Sequence, residues 1–360
     1  MPLVNHKPLP SLTALAERGH TVLSLDEATH QDIRELHIGL LNMMPDAALR
    51  VTEQQFMRMV GSCNQIAQFY VHLFTVPGLH RGPEAAAYIE EYYDSFDHLR
   101  AEGLDALIIT GANVSNPDLE KEPFWEPLKE VIDWATDNTT SVLCSCLATH
   151  ALVKHQYQIE RQRLPEKRWG VYRHIIRQPN HPLLRDINTK FDVPHSRYNA
   201  ITHEQFLEAG LTILVESDEG GVHMAVSPDQ FRMIYFQAHP EYDSNSLLKE
   251  YKREVLRYTH GAREDYPPHP EHYFFDEAIT VADEYHQSVL KALAAEKEAP
   301  PFPENELERL VDNTWGDTGK AIVNNWLGLV YQLTHNDRGK SFAPGVNPKD
   351  PLQILGLHSQ

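Results

Sequence analysis

Three cysteines in 360 residues are too few for a disulfide framework. Cys63, Cys144 and Cys146 make up the set, and such sparing use fits a reducing compartment. No apolar run approaches the roughly 18 residues that a membrane-spanning helix needs. The opening residues, Met1-Pro2-Leu3-Val4-Asn5, carry no positively charged leader. The expected location is the cytoplasm. Positive charge is also short, with 32 Lys and Arg against 51 Asp and Glu, a formal net charge of −19. That balance argues against nucleic acid and membrane surfaces as partners, while a small anion needs only a local basic pocket. Partial protonation of the 21 histidines erodes the negative charge below about pH 6.5. Walker loops, dinucleotide fingerprints and zinc-protease motifs are missing too. His269 and His272 have no third ligand at workable spacing, so neither a metal nor a cofactor is expected.

What is present is an ordinary globular composition, 41% apolar and 23% charged, long enough for a sizeable core. Short strands are expected at His37–Asn42, Gln68–Phe74, Ala106–Asn113 and the run ending at Cys146. Helical spacing marks Ala47–Val60, Tyr88–Phe96 and Trp125–Ala135 between them. Strands alternating with helices at this spacing predict βαβ units on a mostly parallel sheet with helices on both faces. Ligands of such sheets bind beyond the carboxyl ends of the strands. Further strands are expected at Leu211–Glu216, His223–Ser227 and Arg232–Ala238, then a helix at Leu247–Tyr258. Four parts follow: a segment over 1–35 packed on the core, an α/β domain over 36–258, a helical extension over 259–334 and a loose tail over 335–360. Prolines at 267, 268, 270, 300, 301 and 303 flank the helix expected at 278–297.

The chemistry concentrates at Ser141-Val142-Leu143-Cys144-Ser145-Cys146-Leu147-Ala148. An apolar strand hands over to a helix through a tight turn, which exposes Cys146 at its apex. The helix N-terminus favours a thiolate there, and its free amides suit a developing oxyanion. The bland alternative is a buried cysteine at a strand end. A nucleophile needs a base and an orienting group. His239 ends an apolar strand, and Glu241, two residues on, can return to its ring. The triplet His269-Pro270-Glu271 repeats the pattern without a strand before it. Pro194-His195-Ser196-Arg197-Tyr198 reads as a polar binding loop or a solvated turn, and Lys167-Arg168 as an anion clamp or a surface loop. Arg253, on the helix after His239, can face the cleft or solvent.

From Leu36 to Tyr258 these motifs resemble the MetA family of homoserine O-acyltransferases, itself similar in fold to class I glutamine amidotransferases. The segments that carry the resemblance are Leu41-Asn42-Met43-Met44-Pro45, Thr110-Gly111-Ala112, Cys146, Gly170-Val171-Tyr172, Pro194–Tyr198 and His239–Asp243. The resemblance implies a flavodoxin-like core and a ping-pong transfer from succinyl-CoA to L-homoserine through a Cys146 acyl-thioester, in methionine biosynthesis. It further implies His239 as base, Glu241 as its orienting group, Lys167, Ser196, Arg197 and Arg253 as substrate contacts, and a homodimer. Donor choice in the family turns on one residue of the glycine loop, where glutamate favours acetyl-CoA and glycine leaves room for succinyl-CoA. Ser115 holds that position, and its small uncharged side chain points to succinyl; acetyl-CoA is the alternative donor. Where relatives carry lysines after Met-Pro, this chain has Asp46-Ala47-Ala48, and Asn113 replaces the usual loop proline. A glutamine amidotransferase-like hydrolase is the rival reading, although Cys144 and Ala148 occupy its usual glycine positions. A non-catalytic binding protein is the second rival.

Overall fold

In a computed structural model the described residues are 3–31, 33–63, 67–114 and 116–356. Eleven strands form one sheet: β1 (Leu3–Asn5), β2 (Val22–Ser24), β3 (Glu35–Met43), β4 (Gln68–Phe74), β5 (Ala106–Ala112), β6 (Ser141–Ser145), β7 (Gln162–Ile176), β8 (Lys190–Ala200), β9 (Thr212–Ser217), β10 (Gly221–Val226) and β11 (Met233–Phe236). Their order across the sheet is β2-β1-β4-β3-β5-β6-β11-β10-β9-β7-β8. From β2 to β11 every pairing is parallel, and from β11 to β8 every pairing is antiparallel. The helices are α1 (Pro10–Glu17), α2 (Leu25–Thr29), α3 (Asp46–Gly61), α4 (Pro83–Tyr92), α5 (Phe96–Glu102), α6 (Trp125–Asn138), α7 (Leu147–Tyr157), α8 (His203–Glu208), α9 (Ser246–Thr259), α10 (Asp276–Ala294), α11 (Glu304–Glu308) and α12 (Gly316–Leu333).

The parallel half is apolar on both faces because helices cover both. Ile108 of β5 packs in the layer with α3 and α12, whereas Leu107 and Ile109 pack with α6 and α7. Alternate side chains of a strand point to opposite faces, so one unbroken apolar run feeds two cores. A third core joins Trp169 and Val171 of β7 to α9, α10 and Trp315.

Two expectations need correction. The single helix expected over 88–96 is two, α4 and α5. The Asp94 amide donates to the Leu73 carbonyl at 2.7 Å, and Ser95 caps α5 through the His98 amide at 3.2 Å. The second concerns the polar stretches around Lys167 and Ser196, read above as loops. They lie inside the long hairpin of β7 and β8, where Trp169 pairs with Ser196 and Arg168 with Arg197. Their charges and prolines disguise strand positions, and only mutual pairing makes them strands.

Of residues 335–360, read above as a loose tail, the described part, 335–356, carries no helix or strand and is nevertheless tied down. Arg232 stacks its guanidinium on Phe342, Asp350 is buried, and the Asp350 carboxylate caps the amides of Ile354 and Leu355. Among the described residues no helix is long and apolar enough to cross a membrane.

Candidate active site

Cys146 stands between β6 and α7 with φ 53° and ψ −109°. That backbone is strained for any residue with a Cβ, and surrounding structure must hold it. Its amide donates to the Phe236 carbonyl at 2.8 Å, tying the turn to β11. Thr149 Oγ1 donates to the same carbonyl at 2.7 Å, locking the first turn of α7. The Leu147 amide opens α7 and therefore has no acceptor within the helix, which suits it to an oxyanion. Gly111, at the end of β5, comes so near that a Cβ there would lie 3.6 Å from the Cys146 Cβ. Cys144 sits two residues earlier, wholly inside the sheet, where burial pushes its thiol up. Cys146 is half-exposed. The turn thus separates a structural cysteine from an accessible one.

His239 follows β11 at the same edge, and its amide donates to the Pro194 carbonyl at 2.9 Å. Its Nδ1 is 2.8 Å from Glu241 Oε1, with both side chains buried. With Nδ1 on Glu241, Nε2 is the ring nitrogen left for Cys146, whose side chain acts on the imidazole. Burial alone would drive the imidazole toward neutrality. The opposing charges of Cys146 and Glu241, with their hydrogen bonds, raise it well above its ordinary value. Ser145 Oγ donates to Glu241 Oε1 at 3.3 Å, holding the carboxylate from β6.

The Tyr242 ring stacks on His239 at 4.4 Å and donates its hydroxyl to Glu250 Oε1 at 2.9 Å. Glu250 Oε2 receives Ser196 Oγ at 2.7 Å and Lys167 Nζ at 2.9 Å. One carboxylate on α9 therefore gathers a residue of β7, one of β8 and the ring that packs on the base. Burial alone would raise the Glu250 carboxyl; Lys167 and the two hydroxyls reverse this and hold it below its usual value. Sequence reasoning missed Glu250 and Tyr242. The available signal was helical spacing: Glu250 lies three residues before Arg253, on the same side of α9.

Arg197 is buried, with Nη2 donating to the Gly220 carbonyl at 2.7 Å and Nη1 to His195 Nδ1. That donation fixes a chain of neutral rings. His195 Nε2 donates to His174 Nε2 at 3.1 Å, and His174 Nδ1 donates to the Tyr172 carbonyl at 2.8 Å. Arg197 Nε is buried without a partner. Burial, then the neighbouring Arg168, lowers its guanidinium to about 9, and the Cys146 charge opposes them. A cation in that state is suited to an incoming carboxylate.

The structure brings Cys146, His239 and Glu241 into one linked group, with Lys167 and Ser196 joined to it through Glu250 and Tyr242. Arg253 is not brought in: its side chain is 63% exposed beside Glu254. Ser115 lies outside the described residues. His269 and His272 part company, toward Asp283 and Glu219. Glu271, of the repeated triplet, pairs by its backbone with Trp169 and Val171. Among the described residues no group of three or more His, Cys, Asp or Glu is placed to hold a metal.

A strained thiol facing an imidazole that a carboxylate orients can take up an acyl group and pass it on. The fold and the site thus define an α/β acyltransferase. A family model for homoserine O-succinyltransferase matches residues 2–336. The chain is 60% identical over 354 residues to the homoserine O-succinyltransferase of Methylococcus capsulatus, covering 98% of this chain and all of that protein. It is 58% identical to that of Allochromatium vinosum, over 98% of this chain and 99% of that one. The chain belongs to the homoserine O-succinyltransferase family. Among solved structures it is similar to a glutamine amidotransferase from Thermotoga maritima, with a TM-score of 0.45 and 13% identity. That match covers 82% of this chain and 97% of the other.

Proposed function

We propose that the chain carries succinyl from succinyl-CoA to the hydroxyl of L-homoserine by a ping-pong reaction through Cys146, without a cofactor. The observation that carries this reading is the buried His239, with Nδ1 on Glu241 and its imidazole under the influence of Cys146. In the first half-reaction the Cys146 thiolate attacks the thioester carbonyl, with the Leu147 amide beside the developing oxyanion. The bond to the coenzyme A sulfur breaks, and that sulfur leaves with the proton of His239. In the second half-reaction neutral His239 takes the homoserine hydroxyl proton as the oxygen attacks the acyl-enzyme. Cys146 is expelled as thiolate, and the imidazolium–thiolate pair is restored.

Homoserine brings a carboxylate and an ammonium group. Among the described residues Arg197 Nε is buried and unpartnered, which suits the carboxylate, and Ser196 and Lys167 join the site through Glu250. Arg253 stands one helical turn from Glu250 and serves at the exposed rim. Ser115, small and uncharged, leaves space for a succinyl chain. The reading places the protein in the cytoplasm, in methionine biosynthesis, as a homodimer. Light scattering of the purified chain tests the dimer.

The decisive experiment is intact-protein mass after mixing with succinyl-CoA or acetyl-CoA, without homoserine, for wild type and Cys146→Ala. A succinyl increment on the wild type that is absent from the variant is expected. An acetyl increment alone would reverse the donor, and no increment on folded protein would end the covalent reading.

A further inference from the structure

Arg161 follows α7 and precedes β7 by one residue. Its Nη2 donates to the carbonyls of Asn116 at 3.3 Å and Pro117 at 3.2 Å. Those carbonyls belong to the stretch leaving β5, directly after Ser115. Its buried Nε has no partner among the described residues, and Nη1 donates to none of them. Among the described residues no carboxylate lies within ion-pair distance of it. The nearby acids are engaged elsewhere: Glu122 accepts the Asn116 amide at 2.6 Å, and Glu160 and Glu120 both hold Lys154. After burial, which lowers its guanidinium, the strongest charge acting on Arg161 is that of Cys146.

This half-buried cation, fixed to the stretch after β5 and under the charge of Cys146, has an unmet donor and no anion among the described residues. Arg197 does not compete for the same role, because His195 and Gly220 hold it on the β8 side. A succinyl group on Cys146 carries its free carboxylate three carbon–carbon bonds beyond the thioester carbon. An acetyl group has nothing there. We propose that Arg161 binds the distal carboxylate of the acyl group on Cys146 and so sets the preference for a dicarboxylic over a simple acyl donor. The inference rests on the acyl transfer proposed above. It assigns the charge recognition to Arg161.

The test is the second-order rate of enzyme acylation, followed by intact mass and by coenzyme A release, with succinyl-CoA and with acetyl-CoA. The proteins are wild type, Arg161→Met, Arg161→Lys and Arg163→Met, each checked for folding by circular dichroism. Arg163 is exposed, with its guanidinium over Tyr198, and serves as the nearby charge control. Arg161→Met should lose about 100-fold with succinyl-CoA and stay within about threefold with acetyl-CoA. Arg161→Lys should fall between, and Arg163→Met should match wild type. Should the Met variant fail to fold, the donor ratio of Arg161→Lys decides, with a shift toward acetyl-CoA expected. Equal losses with both donors would reduce Arg161 to a brace for residues 116–117 and overturn the inference. Unchanged rates would overturn it as well. A wild type that neither donor acylates would remove the transfer reading and this inference together.

Discussion

The two halves of the sheet differ in how they are built and in what they bring to the site. The parallel half, β2 through β11, is largely buried on both faces from β4 onward and ends at Cys146 and His239. The antiparallel half, β10 through β8, contributes Lys167, Ser196 and Arg197 from the middle of a hairpin rather than from strand ends. In the first half the reacting groups sit where backbone pairing stops, so the fold alone aims them. In the second they are side chains of a continuous ladder, aimed by a carboxylate on α9 and by a histidine chain. On the proposed reading, strand ends carry the bond-making atoms, and the paired strands carry the groups that hold substrate.

If that division is right, lesions in the parallel half should stop acylation, and lesions in the antiparallel half should spare acylation and slow transfer to homoserine. The largest effect belongs to Cys146→Ala. Loss of the nucleophile should cut overall turnover by about 10⁴-fold or more and abolish the acyl-enzyme in intact mass. Residual acyl-enzyme on that variant would sink the assignment.

Glu241→Gln comes next, at about 10²- to 10⁴-fold in both half-reactions, since the imidazole loses its orienting charge. It also tests the raised His239 value. A folded value above the unfolded one of about 6.5 stabilises the protein fully below that pH, and the contribution is lost as pH rises through the folded value. The stability difference between wild type and Glu241→Gln in urea should therefore narrow from pH 6 to pH 9. A gap that widens contradicts the imidazolium pair.

Glu250→Gln probes the other half. Acylation by succinyl-CoA should stay within a few-fold of wild type, while kcat/KM for homoserine falls about 10- to 100-fold as Lys167 and Ser196 lose their common acceptor. Equal damage to both steps would erase the distinction between the halves.

Smaller effects come from the extension that braces the hairpin. A Cβ at Gly170 would run into the Glu271 carbonyl, so Gly170→Ala should cost about 2–4 kcal/mol in urea unfolding. Trp315 Nε1 donates to the Tyr242 carbonyl at 2.9 Å beside the base, and Trp315→Phe should cost about 1 kcal/mol. Neither change should alter the ratio of the two half-reactions.

What the sequence determined by itself follows from local rules. Apolar runs of strand length, helical spacing between them, and a cysteine at a strand–helix handover specify the parallel half; each signal lies within a few residues, so β4 runs over Gln68–Phe74 as expected. The His239–Glu241 pair was legible for the same reason, because i and i+2 are neighbours on the chain. Only the tertiary structure decided that 162–176 and 190–200 are strands, because each finds its hydrogen-bond partners in the other. The hub at Glu250 was equally hidden: Lys167 and Ser196 lie 83 and 54 residues from it along the chain. Nothing in the sequence singled out Arg161, and Arg197, in a stretch that read as a binding loop or a solvated turn, is buried only by the fold. Periodicity records which face of an element is apolar; it does not record which distant polar groups the packing brings together, and the network around Glu250 is made of such groups.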